Sequence, residues 1–179
     1  KAIKINPNDA LYYFNRGEIN YAIKDYSAAI PDFSKAIEIN PEEAEYYYKR
    51  GGSKDNLNDD SGAMSDYSKA IEINPNHADA YNNRGYLKHL SNDYSGAISD
   101  YSKAIEINPK YERAYVNRGW SKKSLNDSQG AIDDYTKAIE INPNDGQAYI
   151  NRAIEKWEQG DKEGACSDAN AANSLGSPK

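Results

Sequence analysis

The sequence predicts an all-α protein built from stacked antiparallel helical hairpins, and three observations predict it. The segment Ser65 to Pro75, SDYSKAIEINP, returns letter for letter at Ser99 to Pro109, a spacing of 34 residues, with near-copies at Pro31 to Pro41 and Asp133 to Pro143. A period of this length marks a stacked repeat, whose core is shared between neighbours rather than gathered at one centre. Hydrophobic residues make up only 38% of the 179 and the aromatics are mostly Tyr, which suits thin layers of core between helices. Within each period small and apolar residues recur at helical spacing, as in Ala63, Tyr67, Ala70, Ile71 and Ile73.

The period divides the chain into residues 1–6, the tail of a preceding repeat, then repeats at 7–40, 41–74, 75–108, 109–142 and 143–175, the last atypical, and a tail at 176–179. The chain opens inside a repeat, so further sequence upstream is expected. Each repeat begins with Asn-Pro, at Asn6-Pro7, Asn40-Pro41, Asn74-Pro75, Asn108-Pro109 and Asn142-Pro143. Asn is a good N-cap and Pro suits the first helical position, so a first helix is predicted to start at each pair. Asp9, Glu43 and Asp145, two residues beyond the Pro, add negative charge at the helix start. His77 and Tyr111 take that place in the other two repeats, which predicts poorer caps there.

A second helix is predicted from Asp25, Asp59, Asp93, Asp127 and Asp161, one per repeat, each a strong N-cap after a polar stretch. Gly17, Gly51, Gly85 and Gly119 stand four residues after Tyr13, Tyr47, Tyr81 and Tyr115 on the first helix. A mid-helix Gly costs ~1 kcal/mol, which calls for a packing reason. Ala29, Ala63, Ala97 and Ala131 on the second helix supply one, small against small, with Phe33, Tyr67, Tyr101 and Tyr135 filling the flanks. Pro31, six residues past Asp25, lacks the N–H for an i→i−4 bond and predicts a kink or a late start.

These residues resemble the tetratricopeptide repeat, TPR, whose 34-residue hairpins carry an aromatic, a Gly, two Ala, another aromatic and a closing Pro at matching places. The resemblance covers nearly the whole chain. It implies a right-handed superhelical solenoid in which first helices line a concave groove and second helices form the convex back. The last repeat departs from the pattern, with Ala153 for Gly, Ala169 for the second aromatic and Asn173 where the others have Ile. Such an outer helix is too polar to receive another repeat, as expected of the C-terminal end of an array. Ala2, Ile3 and Ile5 instead form an apolar stub, so copies are expected to associate through the open N-terminal end.

Net charge is −6, so no basic stripe serves phosphate backbones or anionic lipid, and nucleic acid and membrane insertion are not expected. The lone Cys166 has no internal disulfide partner, which is compatible with a reducing compartment, cytoplasmic rather than secreted. His77, His89 and Cys166 lack metal-ligand spacing, and no phosphate loop or nucleophile elbow occurs. The reading is therefore non-enzymatic, with no cofactor, metal or catalytic residue. Arg16, Arg50, Arg84, Arg118 and Arg152 recur with Asp32, Asp66, Asp100, Asp134 and Asp168, expected as structural pairs, a ligand role being the alternative.

The first-helix face pointing away from the second helix is the candidate peptide-binding groove: Phe14, Asn15, Tyr48, Lys49, Asn83, Tyr86, Arg113, Asn117, Trp120, Asn151 and Trp157. Its aromatics have no evident intramolecular partner in the sequence, and aromatics favour interfaces. Asn15, Asn83, Asn117 and Asn151 hold one register position, interrupted by Lys49, and an amide can pair with a peptide backbone of any sequence. The arrangement is similar to the asparagine ladder in the TPR superhelix of O-linked N-acetylglucosamine transferase. The carboxylate clamp of chaperone-binding TPR domains is matched only by Asn83 with Arg113. The expected function is a scaffold binding an extended peptide of a partner protein. The alternatives are the substrate-recognition array of a larger enzyme or a co-chaperone-like adaptor.

Overall fold

A computed structural model describes residues 9–176 of the chain. The expectations for Ala2, Ile3, Ile5 and Asn6-Pro7 lie outside these residues, as does the tail beyond Gly176. The described residues form helices and turns without a strand: α1 Ala10–Ala22, α2 Tyr26–Ile39, α3 Ala44–Asn56, α4 Asp60–Ile73, α5 Ala78–Leu90, α6 Tyr94–Ile107, α7 Glu112–Ser124, α8 Ser128–Ile141, α9 Gly146–Glu158 and α10 Lys162–Ser174. They fall into two compact units, divided between Arg84 and Gly85 inside α5. In the first unit α1 pairs with α2 and α3 with α4, and α2 packs on α3. In the second α7 pairs with α8 and α9 with α10, while α6 packs on α7 and α8 on α9.

The second helices start where the Asp residues place them. Asp25, Asp59, Asp93, Asp127 and Asp161 each accept a hydrogen bond from the backbone N–H three residues on. Before four of these caps the chain turns through a left-handed residue other than Gly: Lys24, Asn58, Asn92 and Asn126, at φ 61–66°. Asn tolerates that region because its short amide bonds locally, and it ends the first helices economically.

The first helices start three residues later than Asn-Pro predicts. Asn40, Asn74, Asn108 and Asn142 are C-caps of the preceding helices. The side-chain oxygens of Asn74, Asn108 and Asn142 accept from the N–H two residues on, so the amide closes a turn instead of opening a helix. The working caps are Asp9 and Asp145, whose carboxylates accept from Leu11 and Gln147 N–H. His77 also caps, its Nδ1 accepting from Ala80 N–H at 3.3 Å, whereas Glu43 and Tyr111 make no side-chain cap bond.

Two packing expectations are corrected. Each mid-helix Gly faces the ring of the second helix, not its Ala: a Cβ on Gly17, Gly51, Gly85 or Gly119 would stand 2.7–2.9 Å from Phe33, Tyr67, Tyr101 or Tyr135. Those four rings are at most 1% exposed and form the thickest part of each core layer. Pro31 neither delays nor interrupts α2, which starts in register with its counterparts and runs through it. Pro31 lies on the exposed side, where Ser27's carbonyl is free to tilt toward water.

Candidate functional site

The first unit carries Phe14 and Asn15 on α1, Tyr48 and Lys49 on α3, and Asn83 on α5. The aromatics here do have intramolecular work, contrary to expectation. Phe14 lies 4.9 Å from Tyr46 and 5.8 Å from Phe33, ring centre to ring centre, and Tyr48 lies 4.6 Å from His77 and 5.9 Å from Tyr67. Each ring leans on a neighbouring hairpin, a contact that sequence distance hides. Burial accordingly pushes the Tyr48 phenol up to about 12. Asn83 is half-buried: its NH2 donates to Tyr48 Oη at 3.5 Å and its oxygen accepts from Asn82 at 3.1 Å. Asn15 is exposed.

Lys49, which interrupts the Asn series, is held between carboxylates, 3.1 Å from Glu18 and 3.7 Å from Glu45. Glu45 in turn meets His77 Nε2 at 3.3 Å, and this bond is the main reason its carboxyl stays below the ordinary range despite partial burial. Thus acidic and basic side chains alternate across the face. His77 was not foreseen in it; its only signal was that it replaces the acidic residue of three other repeats.

The second unit carries Tyr86, Arg113, Asn117, Trp120, Asn151 and Trp157. Here the aromatics do stand in solvent, Tyr86 37%, Trp120 44% and Trp157 55% exposed. Trp120 lies against His89 with ring centres 4.2 Å apart, and Trp157 receives Lys162 over its face at 5.5 Å. His89 is buried, and burial keeps its imidazole below the ordinary range, hence neutral near pH 7. Ser121 Oγ donates to the Asn117 carbonyl, so His89 Nδ1, 2.9 Å from that oxygen, is assigned as the donor to it. Lys123 meets the fully buried Glu155 at 2.6 Å. Asn117 and Asn151 are half-buried, and Asn151's oxygen accepts from Gln147 at 2.9 Å. Arg113 is exposed.

The recurrent Arg and Asp residues form structural clamps. Arg50, Arg118 and Arg152 grip Asp66, Asp134 and Asp168 through paired bonds of 2.6–2.9 Å, and Arg16 grips Asp32 in the same way. Sequence reasoning missed two further members. Lys54, Lys88, Lys122 and Lys156 add a second cation to Asp66, Asp100, Asp134 and Asp168 at 2.7–2.8 Å. The third Arg nitrogen reaches back to Ser34, Ser68, Ser102 or Thr136 of the preceding hairpin at 3.0–3.2 Å. Both additions recur every 34 residues, which was their available signal. Burial pushes the Asp168 carboxyl up, but Arg152 and Lys156 hold it net below its usual range.

Among the described residues no group of three His, Cys, Asp or Glu could hold a metal ion, and no helix is long and apolar enough to cross a membrane. The tetratricopeptide-repeat family model matches residues 10–43, 78–111 and 112–145, and a second TPR-repeat model matches residues 56–91. The chain belongs to the tetratricopeptide-repeat family. Solved structures similar to this TPR protein include MamA, at 23% identity and TM-score 0.84 over 93% of this chain and 91% of that one. YrrB, described as a TPR protein with an unusual peptide-binding site, matches at 19% and 0.79 over 95% and 88%. PilF of Pseudomonas aeruginosa matches at 18% and 0.86 over 95% and 78%. No curated protein matches the sequence. TPR arrays are protein-interaction scaffolds.

Proposed function

We propose that the chain is a non-enzymatic scaffold that holds an extended peptide of a partner protein on its first-helix face. The observation that carries this is the second unit's juxtaposition of exposed Trp120 and Trp157 with Asn117 and Asn151 at one register position. The Asn amides offer donors and acceptors to a peptide backbone, and the indoles offer apolar anchorage for its side chains. The peptide-binding description of YrrB, a structure of the same fold, supports the reading. The net charge of −6 favours a protein partner over nucleic acid.

The test begins with affinity capture by the intact chain and mapping of the bound segment, which is then labelled for titration. Asn117→Ala with Asn151→Ala removes about four neutral hydrogen bonds at 0.5–1.5 kcal/mol each, so a loss of roughly 2–6 kcal/mol, at least tens-fold in Kd, is expected for every bound peptide. Trp120→Ala is expected to discriminate among peptides instead. Unchanged affinity in the double variant, with an unchanged melting temperature, would end the proposal.

A further inference from the structure

Besides Asn173, the C-terminal hairpin differs from those before it at a coupled pair of positions. Elsewhere a Gly on the first helix receives a Phe or Tyr ring from the second, whereas α9 and α10 bring Ala153 and Ala169 to those places. The ring's room is left as a largely apolar pocket of about 320 Å³ lined by Ala153, Ile154, Trp157, Ala165, Cys166 and Ala169, with Glu158 as its one charged residue. That volume is at the lower end of small-ligand pockets. Ile154 and Trp157 at its mouth are 42% and 55% exposed, so apolar surface stands open to solvent there. On α10, Asn170 and Asn173 are exposed, and so are Cys166 and Ala169, which open the slot to solvent, while Ala165 at its floor is buried.

We propose that the slot binds a single aromatic side chain presented by the bound peptide, a proposal that rests on the peptide reading for the source of the ring. The fold itself buries a Phe or Tyr ring at the equivalent place in the preceding hairpins, so the shape and chemistry suit one six-membered ring. Trp157 belongs both to the slot and to the peptide-binding face, so the two surfaces are continuous. The Cβ of Ala153 raises the floor by one carbon. A ring arriving from outside therefore sits further out, against Trp157 and Ile154, where offset or edge-to-face stacking on the indole is available.

The probes are p-cresol, which is the tyrosine side chain itself, and N-acetyl-tyrosinamide, with N-acetyl-alaninamide as control. The full chain carrying Trp120→Phe makes Trp157 the reporting indole, and the rate of Cys166 alkylation by iodoacetamide gives a second readout. Both aromatic probes are expected to change Trp157 fluorescence saturably, with half-saturation at about 1 mM, a weak affinity fitting so few atoms. They are expected to slow Cys166 alkylation several-fold, and the alaninamide to do neither. Ala153→Gly with Ala169→Tyr supplies the chain's own ring and abolishes both effects; Ala169→Leu replaces it if that variant does not fold. Absence of saturation, or its persistence in the filled variants, overturns the slot. Binding of p-cresol without N-acetyl-tyrosinamide overturns the peptide source, as does a concentration-dependent dimer that the filled variants dissolve. Because the probes need no peptide, failure of the Asn117 and Asn151 test is distinguishable from failure of the slot.

Discussion

Gly119→Ala measures the close fit between first and second helices. The new Cβ would lie 2.7 Å from Tyr135 Cε1 and 3.1 Å from Cδ1 and Cζ. The ring must withdraw by roughly 0.8 Å to reach ordinary carbon contact, and at 1% exposure it has nowhere to go. Overpacking of this kind costs about 1–3 kcal/mol, while Ala in place of a mid-helix Gly gains about 1 kcal/mol, so a net loss near 1 kcal/mol is expected. Tyr135→Ala alone costs about 3–5 kcal/mol. In that background the clash is gone and only the helix gain remains, so Gly119→Ala then stabilises by about 1 kcal/mol. The substitution thus changes sign with residue 135, a coupling near 2 kcal/mol. The assay is a double-mutant cycle by urea unfolding, followed by helical circular dichroism and by Trp120 fluorescence. It is fitted with a nearest-neighbour model because repeats need not unfold in one step. An equal effect of Gly119→Ala with Tyr or Ala at 135 would refute the packing argument. Ala153 and Ala169 are the natural counterpart of the double variant.

Glu112, at the start of α7, has its carboxyl pushed up to about 7, first by burial and then by hydrogen bonding and repulsion from Asp145, with Arg113 pulling the other way. Its folded-state value exceeds the ordinary 4.5, so the stability tied to its proton is complete below about pH 4.5 and is lost as pH rises through about 7. Glu112→Gln is therefore expected to melt higher than the parent above pH 7 and to converge with it below pH 4.5; a gap that widens toward acid would contradict this. On α1, Ile19 is 63% exposed, whereas Ser53, Leu87, Ser121 and Glu155 at the same register position are at most 2% exposed. We expect the chain to associate through this face and Ile19→Ser to weaken the association at least several-fold in sedimentation equilibrium, with no change in helicity; a monomeric parent would dispose of the idea.

What the sequence makes legible in this chain follows the range of the interaction. The caps at Asp25, Asp59, Asp93, Asp127 and Asp161 satisfy a backbone group three residues away, so local sequence identifies them. Asn-Pro misleads because the same Asn that suits an N-cap also closes a turn, and the choice at Asn74 or Asn108 is made by how the preceding helix ends. Gly and Ala look matched because both are small; the offset that sets Gly119 against Tyr135 is a property of two helices in contact, which periodicity along either one does not contain. The candidate face divides in the same way. The period locates Asn83 and Asn151, but their partners, Tyr48 on the preceding first helix and Gln147 one turn away, depend on rotamer and neighbour. The repeat supplies a compensating advantage, because each position is defined by its counterparts and an exception can be read against them. Ala153 and Ala169 would be unremarked residues in an ordinary helical pair; beside four hairpins that place a ring there, they mark an absent side chain and the space it leaves.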